Sequence, residues 1–304
     1  MKPIYAIIVT YNGIKWYDRC FGSLRKSTLP IIPVVIDNNS SDGSVAYIRE
    51  HFPEAVVIEE KENLGFAKAN NFGMRYALDH GADYVFLLNQ DAWLVDDDSL
   101  EKMVAYSEQN PEYAILSPMQ LYGDGKQIVA ESKLYAAKRN DTENDWISDT
   151  YFHRLKDVYE VQYICAASWF MPVSTLKTIG GFDPLFYHNG EDDNYMQRVH
   201  YHGLKVGLCP KLKLCHDCGG RSVDYNAKTL DWRKYLLIVY CNINMKVDFD
   251  SMLSSKRKVI FIQRLRMNFK LLKTSLPEYK YLKEMRTSIE RSRNQNKQKG
   301  ENWL

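Results

Sequence analysis

The sequence is poor in the residues and patterns that define several specialised classes of protein. Only 6 of its 304 residues are Cys, 16 are Gly and 10 are Pro, which argues against a disulfide scaffold and a collagen-like repeat. Apolar residues make up 45% and charged residues 26%, a balance typical of globular chains rather than disordered ones. The length allows one large domain or two modest ones.

Long hydrophobic runs are also missing. The longest uncharged run, Val161–Leu176, has 16 residues and contains Pro172, whereas a transmembrane helix needs about 20 apolar residues. Ile4–Thr10 is a short, continuous apolar run and predicts a buried first strand. It lacks the length and the cleavage site of a signal peptide. Six cysteines without a secretion signal predict reduced thiols and a cytoplasmic protein.

Cysteine and histidine come together once, in Cys215-His216-Asp217-Cys218, with Cys209 upstream. Structural zinc sites usually combine two paired clusters, and a second paired cluster is absent from the sequence. Buried core thiols are therefore the favoured interpretation, with zinc as the alternative.

Net charge is small overall but unevenly distributed. The chain carries 40 Lys and Arg against 38 Asp and Glu, a formal net charge of +2. Residues 255–304 hold 14 of the basic and 4 of the acidic residues, a net charge of +10, which leaves −8 on the first 254. The small net charge therefore conceals an acidic body joined to a basic C-terminal tail.

Strand and helix patterns alternate over the first half of the chain. Apolar runs predict strands at Ile4–Thr10, Ile32–Ile36, Val56–Glu59 and Tyr84–Leu88, and helical spacing predicts helices at Trp16–Lys26, Ser44–His51, Phe66–His80 and Ser99–Gln109. This order predicts an α/β fold with a mostly parallel sheet flanked by helices. Residues 117–160 are expected to be irregular, and Arg291–Gly300 to be frayed or disordered.

Polar clusters follow three of these strands, where parallel sheets bind their ligands. They are Thr10-Tyr11-Asn12, Asp37-Asn38-Asn39 and Asn89-Gln90-Asp91. A carboxylate at such an edge can accept hydrogen bonds from a base or ribose, or hold a divalent cation on a diphosphate. The alternative for the second and third clusters is a capped, Asx-rich turn without a ligand.

Three successive acids, Glu191-Asp192-Asp193, precede a helical pattern that runs to Arg198. Mutual repulsion can raise the pKa of one of them, which suits a general base. The alternative is an acidic first helical turn that the helix dipole favours, and both interpretations can hold together. His216 gains a functional interpretation only if it lies beside such acids.

Six segments in order resemble the signatures of family 2 glycosyltransferases, which have the Rossmann-like GT-A fold. They are Ile8–Asn12, Val35–Gly43, Asn63–Gly73, Leu87–Asp91, Gly180–Asp183, and Glu191-Asp192 with Arg198. The resemblance spans residues 4–222, and within the family the sequence looks most like rhamnosyltransferase-type members of surface polysaccharide assembly. It implies a GT-A domain over residues 1–225 and a helical extension with a basic tail over residues 226–304.

The resemblance implies a role for each matching position. Asp192 would be the catalytic base, with Glu191 beside it, and Asp91 and His216 would hold Mg²⁺ or Mn²⁺. Trp169 and Asp193 would lie at the acceptor or sugar pocket. The nucleotide would be bound by Thr10, Tyr11, Asn12, Asp37, Asn39, Asn63, Gly65, Asn70 and Gln90.

The reaction implied is an inverting, single displacement that moves a sugar from a dTDP-, UDP- or GDP-linked donor to a saccharide or lipid-linked acceptor. Two positions depart from the family pattern: Asn89 replaces the first acid of the metal-binding motif, and Asn194 stands where an acid is usual. These departures keep open an alternative, a non-catalytic protein that binds sugar nucleotides or carbohydrate on the same fold.

The C-terminal pattern is helical, over Tyr235–Cys241, Lys258–Leu272 and Tyr279–Ser292. Basic residues interleaved with apolar ones predict peripheral contact with the inner face of a membrane. The alternative is a helix that packs on the catalytic domain and exposes a basic face. Nucleic acid is not an expected partner, because the body is acidic and no recognition motif is present.

Overall fold

The structure is a computed structural model that describes residues 2–130, 132–133, 145–187, 189–218 and 232–304. A single mixed sheet of nine strands runs through this part of the chain, in the order β3-β2-β1-β4-β8-β6-β9-β5, with β7 on β9. The strands are β1 Ile4–Thr10, β2 Ile31–Asp37, β3 Val56–Glu59, β4 Tyr84–Leu88, β5 Ala92–Leu94, β6 Tyr113–Tyr122, β7 Tyr159–Val161, β8 Ser168–Pro172 and β9 Lys205–His216.

Helices connect and cover these strands. They are α1 Tyr17–Arg25, α2 Ser44–His51, α3 Gly65–Asp79, α4 Ser99–Gln109, α5 Trp146–Tyr151, α6 Val173–Ile179, α7 Glu191–Tyr201, α8 Trp232–Cys241, α9 Phe249–Leu265 and α10 Phe269–Asn296, with a 3₁₀ turn at Ile14–Trp16. The predicted elements of the first half are confirmed, and most of their ends agree within a residue or two.

The sheet is parallel only in its first half. Strands β1–β4 pair in parallel, as the βαβ pattern predicts, because each crossover helix returns the chain to the same edge. Beyond β4, strands β8, β7 and β5 make antiparallel pairs, and only β6 and β9 run in parallel. The expectation of a mostly parallel sheet is therefore wrong for the second half.

The segment 117–160 was expected to be irregular, and its described part contains regular structure. Strand β6 continues to Tyr122, and α5 and β7 follow within the same segment. The polar composition misleads because α5 has only six residues and β7 only three. Such short elements leave little periodicity to detect.

Both faces of the sheet are covered by apolar clusters. Strand β1 is buried on both sides. Ile7 lies in the cluster on one face, and Ile4, Ala6 and Ile8 lie in the cluster on the other. A strand buried on both faces shows no polar alternation. The edge where β1, β2 and β4 end is thereby fixed on a rigid base.

The C-terminal helices have a core of their own, formed by Phe186, Leu236, Leu237, Cys241, Phe249, Leu253, Leu282 and Ile289. A helix predicted over Lys258–Leu272 is wrong, because the chain reverses at residues 266–268. Met267 adopts φ of 52°, and the Asn268 side chain accepts a hydrogen bond from the Leu271 N–H and caps α10. An uninterrupted amphipathic pattern hides this turn.

The end of the chain is ordered rather than frayed. Helix α10 continues to Asn296 and buries Ser292, Arg293 and Asn296. Leu304 packs against the main cluster of the sheet. The predicted boundary at residues 225 and 226 lies outside the described residues, and none of the helices described is long and apolar enough to cross a membrane.

Candidate active site

A cavity of about 470 Å³ opens at the carboxyl ends of β1, β2 and β4. Parallel sheets bind ligands at this edge. Five predicted site residues line it, Tyr11, Asn63, Gly65, Gln90 and Asp91, together with Val9, Trp16, Asn38, Phe66, Asn89 and Tyr187. The polar clusters that follow three separate strands therefore meet in one place.

Gln90 ties the ends of β1 and β4 together. Its Oε1 accepts a hydrogen bond from the Tyr11 N–H at 3.0 Å, and its Nε2 donates to the Tyr11 carbonyl at 3.1 Å. Gly13 permits this approach, because a Cβ there would lie 2.1 Å from Gln90 Oε1. Gln90 thus holds the Tyr11 backbone, and the Tyr11 ring, 48% exposed, is free to face a ligand.

The Asp37 carboxylate organises the turn after β2. It is only 2% exposed and accepts hydrogen bonds from the Thr10 hydroxyl at 2.8 Å and from the Ser40 N–H and hydroxyl at 2.8 and 2.6 Å. In the same turn Asn12 Oδ1 accepts from the Ser41 N–H, whereas Asn39 is exposed. Of the two interpretations, the capped turn accounts for the contacts of Thr10, Asn12 and Asp37, and their nucleotide contact stays a prediction.

The start of α3 forms the second wall. Asn63 Oδ1 accepts from the Gly65 N–H at 2.9 Å, and Asn38 bonds both the Leu64 N–H and the Gly65 carbonyl. Gly65 has φ of 76°, and a Cβ there would lie 2.6 Å from the Tyr187 carbonyl. A side chain at this position would therefore collide with the backbone of the opposite wall.

Asp91 lines the cavity, and His216 lies next to it. His216 Nε2 lies 3.4 Å from Asp91 Oδ1, and both side chains are nearly buried. Strand β5 brings them together, because Ala92 pairs with His216 and the Asp217 N–H donates to the Asp91 carbonyl at 2.8 Å. Burial lowers the pKa of His216, but Asp91 and Cys218 outweigh it and raise that pKa to about 9.

The Asp91–His216 pair fits a divalent cation that is shared with a diphosphate. His216 Nε2 lies 3.4 Å from Asp91 Oδ1, so a cation that displaces the imidazolium proton would meet a ring nitrogen and a carboxylate oxygen together. Imidazole and carboxylate together suit Mn²⁺, and a cation of this kind takes its remaining ligands from phosphate or water. No set of three or more His, Cys, Asp or Glu side chains in the described ranges could hold a metal by itself.

Asp192 lies in the first turn of α7, held by the loop before β8. Its Oδ2 accepts from the Ala166 N–H at 2.9 Å, with the Tyr163 hydroxyl 3.5 Å away. The other oxygen, Oδ1, is buried and has no hydrogen-bond partner within the described structure. One carboxylate oxygen is thus fixed in place, while the other is left to take a proton.

The surroundings raise the pKa of all three acids. Burial and the charge of Glu191 raise the pKa of Asp192 well above its usual range and outweigh the Ala166 N–H. Burial also raises the pKa of Glu191 and of Asp193. Such a shift marks Asp192 as a candidate general acid or base.

Asp192 is linked through backbone hydrogen bonds to the strand end that precedes Asp91. The Ala166 N–H binds Asp192, and the next residue, Ala167, accepts a hydrogen bond from the Asn89 N–H at 3.0 Å. One dipeptide therefore connects the candidate base with the end of β4, two residues before Asp91. The sequence separates these two acids by 100 residues.

Trp169 is wrongly predicted to line the sugar pocket. It lies in strand β8 with no exposed surface, stacks on Phe182, contacts the tilted ring of Tyr195 and donates to the Ile164 carbonyl. An alternating strand position places it in the core. Asn70, predicted at the nucleotide, is 1% exposed and donates to the Phe66 carbonyl of its own helix.

The loop Gly180–Asp183 is clamped by three helices. Tyr195 and Arg198 of α7 donate to the carbonyls of Gly180 and Gly181. Asn71 of α3 bonds both the N–H and the carbonyl of Phe182. Asp183 Oδ2 accepts from Ser292 at 2.6 Å and from Asn296 at 2.9 Å, both in α10. The loop fixes α7, and so Asp192, in relation to the C-terminal helices.

Comparison with known proteins identifies the family. The model of Glycosyl transferase family 2 matches residues 5–178, more than half of the chain. The chain belongs to this family. It is a glycosyltransferase, an enzyme of sugar transfer, and its sequence is rhamnosyltransferase-like.

Two curated relatives in the family are similar over the same length. The dTDP-rhamnosyl transferase RfbF of Shigella flexneri is 23% identical over 221 residues, which cover 72% of this chain and 71% of that protein. The galactofuranosyltransferase GlfT1 of Mycobacterium tuberculosis is 25% identical, with the same coverage.

Solved structures share the fold. A mannosyltransferase of Pyrobaculum calidifontis, in complex with GDP-Man and Mn²⁺, aligns with TM-score 0.55 and 18% identity over 80% of this chain and 62% of that one. GalNAc-T7, with UDP, GalNAc and Mn²⁺, aligns with TM-score 0.59 and 14% identity over 78% of this chain and 48% of that one. The GT-A fold predicted by the resemblance is confirmed, together with its C-terminal helices.

Asn38, Tyr187 and Trp16 line the cavity and make polar contacts there, although the sequence reasoning did not assign them to the site. Asn38 lay inside a recognised cluster, and its two backbone contacts could have been suspected from its place at a strand end. Tyr187 is 63% exposed and donates to the Asn63 carbonyl at 3.1 Å, and Trp16 donates to Asp217 at 2.8 Å. No local pattern distinguishes these two aromatic residues from core residues.

Proposed function

We propose that the chain is an inverting, metal-dependent hexosyltransferase that moves a sugar from a nucleoside diphosphate to a hydroxyl of a saccharide or lipid-linked acceptor, in surface polysaccharide biosynthesis. The observation that carries the proposal is the dipeptide Ala166-Ala167, which bonds Asp192 on one side and the end of β4 on the other. A carboxylate of raised pKa thus lies near the residues that suit a metal-bound diphosphate.

Each residue has a defined part in this reaction. Asp91 and His216 would hold Mn²⁺ or Mg²⁺, which offsets the charge of the departing diphosphate. Asp192 takes the proton of the acceptor hydroxyl through Oδ1, and Glu191 tunes its pKa. A single displacement needs one base and no covalent intermediate, so the arrangement supports inversion at the sugar carbon.

For the donor, we propose a nucleotide bound over the open Tyr11 ring, between Asn63 and Gln90. The similarity to a dTDP-rhamnosyl transferase supports dTDP-rhamnose, and a fold shared with a GDP-Man complex keeps a GDP-sugar in the comparison. All six cysteines are free thiols, which supports a reducing, cytoplasmic location.

A thermal-shift screen tests donor and metal together. The chain is heated with dTDP-rhamnose, GDP-mannose and UDP-GlcNAc, each with and without Mn²⁺. A ligand at 100 times its Kd adds about 2.7 kcal/mol to the free energy of unfolding, and we expect this stabilisation for dTDP-rhamnose with Mn²⁺. A larger shift with a UDP-sugar would remove rhamnose, and no shift with any donor would contradict nucleotide-sugar binding.

Turnover separates the enzyme from a protein that only binds sugar nucleotides. The native chain should release nucleoside diphosphate from the stabilising donor in the presence of saccharide acceptors. The Asp192→Asn variant should keep the thermal shift and lose the release. A native chain that binds the donor and never turns it over would favour the binding protein.

A further inference from the structure

Helices α9 and α10 form an antiparallel hairpin, and most side chains at its tip are exposed to solvent. Near its base Arg286 pairs with Asp250 and Lys256 pairs with Glu278, and nearer the tip Ser275 donates to Gln263. From residue 261 to residue 271 every side chain except Gln263 is exposed. The last two turns of α9, the reversal and the first turn of α10 form the end of the hairpin, here called the hairpin tip (residues 257–273). Within it only Ile260, Gln263 and Leu272 are not exposed.

The hairpin tip exposes large apolar side chains at high density. Seven of them are between 45% and 69% exposed, namely Val259, Phe261, Ile262, Leu265, Met267, Phe269 and Leu271. Single exposed apolar residues are normal on protein surfaces, but a contiguous group marks an interaction site. The reversal brings both helices into this group, which an extended helix would spread along its length.

The charge of the hairpin tip has one sign. Residues 257–273 contain the cations Arg257, Lys258, Arg264, Arg266, Lys270 and Lys273, and no Asp or Glu. None of these six makes an ion pair within the part of the chain that the structure describes. Cations interleaved with exposed aromatic and aliphatic side chains are typical of segments that lie in the interface of an anionic bilayer.

A second copy of the chain fits this surface less well. Two hairpin tips in contact would bring their cations together without an acid to compensate them, and like charges in an interface are costly. A bilayer with anionic headgroups offers both an apolar layer and negative charge, which are the two properties that the hairpin tip presents.

The hairpin is joined to the active-site wall by a packed core. Phe186 belongs to the same apolar cluster as Leu253 and Leu282 of the hairpin, and the next residue, Tyr187, lines the cavity. A bilayer that holds the hairpin tip therefore holds the cavity at a set distance from the lipid surface.

We propose that the hairpin tip inserts into the interface of an anionic membrane and so presents the cavity to membrane-bound acceptors. The inference goes beyond the proposed sugar transfer, since an enzyme with soluble acceptors would not need it. In this proposal the exposed aromatic and aliphatic side chains insert into the bilayer interface, and the six cations select anionic lipids.

Vesicle co-sedimentation tests the proposal with the full chain. One variant carries Phe261→Ser, Leu265→Ser and Phe269→Ser, and another carries Arg264→Gln, Arg266→Gln and Lys270→Gln. The native chain should bind mixed phosphatidylcholine–phosphatidylglycerol vesicles, bind pure phosphatidylcholine at least tenfold more weakly, and weaken at high salt. Each variant should bind the mixed vesicles at least tenfold more weakly than the native chain.

Matched controls separate the hairpin tip from general effects. Lys126→Gln with Lys133→Gln and Lys280→Gln removes the same charge elsewhere, and Phe152→Ser removes an exposed aromatic side chain; both should bind vesicles like the native chain. All variants should keep the native melting temperature and native donor turnover in solution. Donor turnover in solution therefore tests sugar transfer independently of vesicle binding.

Three results would overturn the proposal. The native chain could stay in the supernatant with anionic vesicles at low salt, or the hairpin-tip variants could bind as well as the native chain. Light scattering without lipid could instead show a native dimer that the serine variant dissociates, which would assign the hairpin tip to a second copy.

Discussion

Asp192 combines three properties at the scale of a single residue: a fixed oxygen, a buried oxygen without a partner among described residues, and a raised pKa. Replacement by Asn keeps the shape and removes the basic oxygen. We expect kcat to fall by about 10²- to 10⁴-fold, with donor affinity within a few-fold of native. Initial rates and calorimetric titration measure the two effects.

Asp193→Asn is the matched control for this change, because it removes a neighbouring carboxylate of the same turn. It should lower kcat much less than Asp192→Asn does. Equal losses in the two variants would leave Asp192 without a special part in the reaction.

The pH dependence of kcat follows from the same environment. A base works only when deprotonated, and burial and the Glu191 charge raise the pKa of Asp192. Activity should therefore rise with pH through that raised pKa. Glu191→Gln removes a negative charge, lowers the pKa of Asp192 and should move the rising limb to lower pH. A profile that stays in place, or moves to higher pH, would show that Glu191 does not tune the base.

His216 is expected to hold the metal together with Asp91. Loss of even an indirect ligand partner commonly costs 10- to 100-fold in metal affinity, so His216→Ala should weaken Mn²⁺ binding by roughly tenfold or more. Titration of Mn²⁺ in the presence of dTDP, followed by electron paramagnetic resonance, measures this. His51→Ala, an exposed histidine far along the chain, should leave the titration unchanged, and an unchanged titration for His216→Ala would exclude its ligand role.

Residue types at strand ends predicted part of the site. Tyr11, Asn63, Gly65, Gln90 and Asp91 do line the cavity, because parallel strands bring their carboxyl ends to one edge. Trp169 was misplaced, because an aromatic residue in an apolar run fits a core and a sugar pocket equally well. Only the register of β8 decides between them.

At the scale of elements, the strands and helices with the clearest sequence patterns were predicted best. Strands β1–β4 are continuous apolar runs separated by clear helices, so both their type and their parallel pairing followed from the sequence. The antiparallel half of the sheet depends on contacts between distant segments, such as β4 with β8 and β5 with β9. The hairpin reversal at residues 266–268 lacks Gly and Pro, so its turn carries no usual signal.

The clamp on loop Gly180–Asp183 gives a prediction at this scale. Asn71→Ala leaves both the N–H and the carbonyl of Phe182 without their partner, at a cost of about 1–3 kcal/mol for each buried group. Asn70→Ala, one residue away, removes one bond within its own helix and should cost less. Urea denaturation compares the two variants.

The two variants also separate two interpretations of α3. If Asn70 contacts the nucleotide, as the family resemblance implies, Asn70→Ala should reduce the free energy of donor binding by more than the free energy of unfolding. A greater loss of stability for Asn70→Ala than for Asn71→Ala would contradict the clamp.

For the whole molecule, the C-terminal helices are an integral support of the GT-A unit. Ser292 and Asn296 bond Asp183, the Trp303 carbonyl bonds Asn71, and Leu304 packs on the main core. Residues 226–304, expected as a separate extension, should therefore not unfold independently.

Calorimetry of the full chain should show one cooperative transition. Deletion of residues 302–304 should lower its melting temperature and keep it single, because the clamp loses the contacts of Trp303 and Leu304. Two resolved transitions in the full chain would instead support two independent domains.

The central claim is that Asp192, linked through Ala166-Ala167 to the end of β4, activates an acceptor hydroxyl for sugar transfer. Its most direct test is the release of nucleoside diphosphate from dTDP-rhamnose, GDP-mannose and UDP-GlcNAc with saccharide acceptors and Mn²⁺, in the native chain and in Asp192→Asn. We predict release from at least one donor by the native chain and its loss in the variant. No release from any donor, or equal release by both proteins, would contradict the claim.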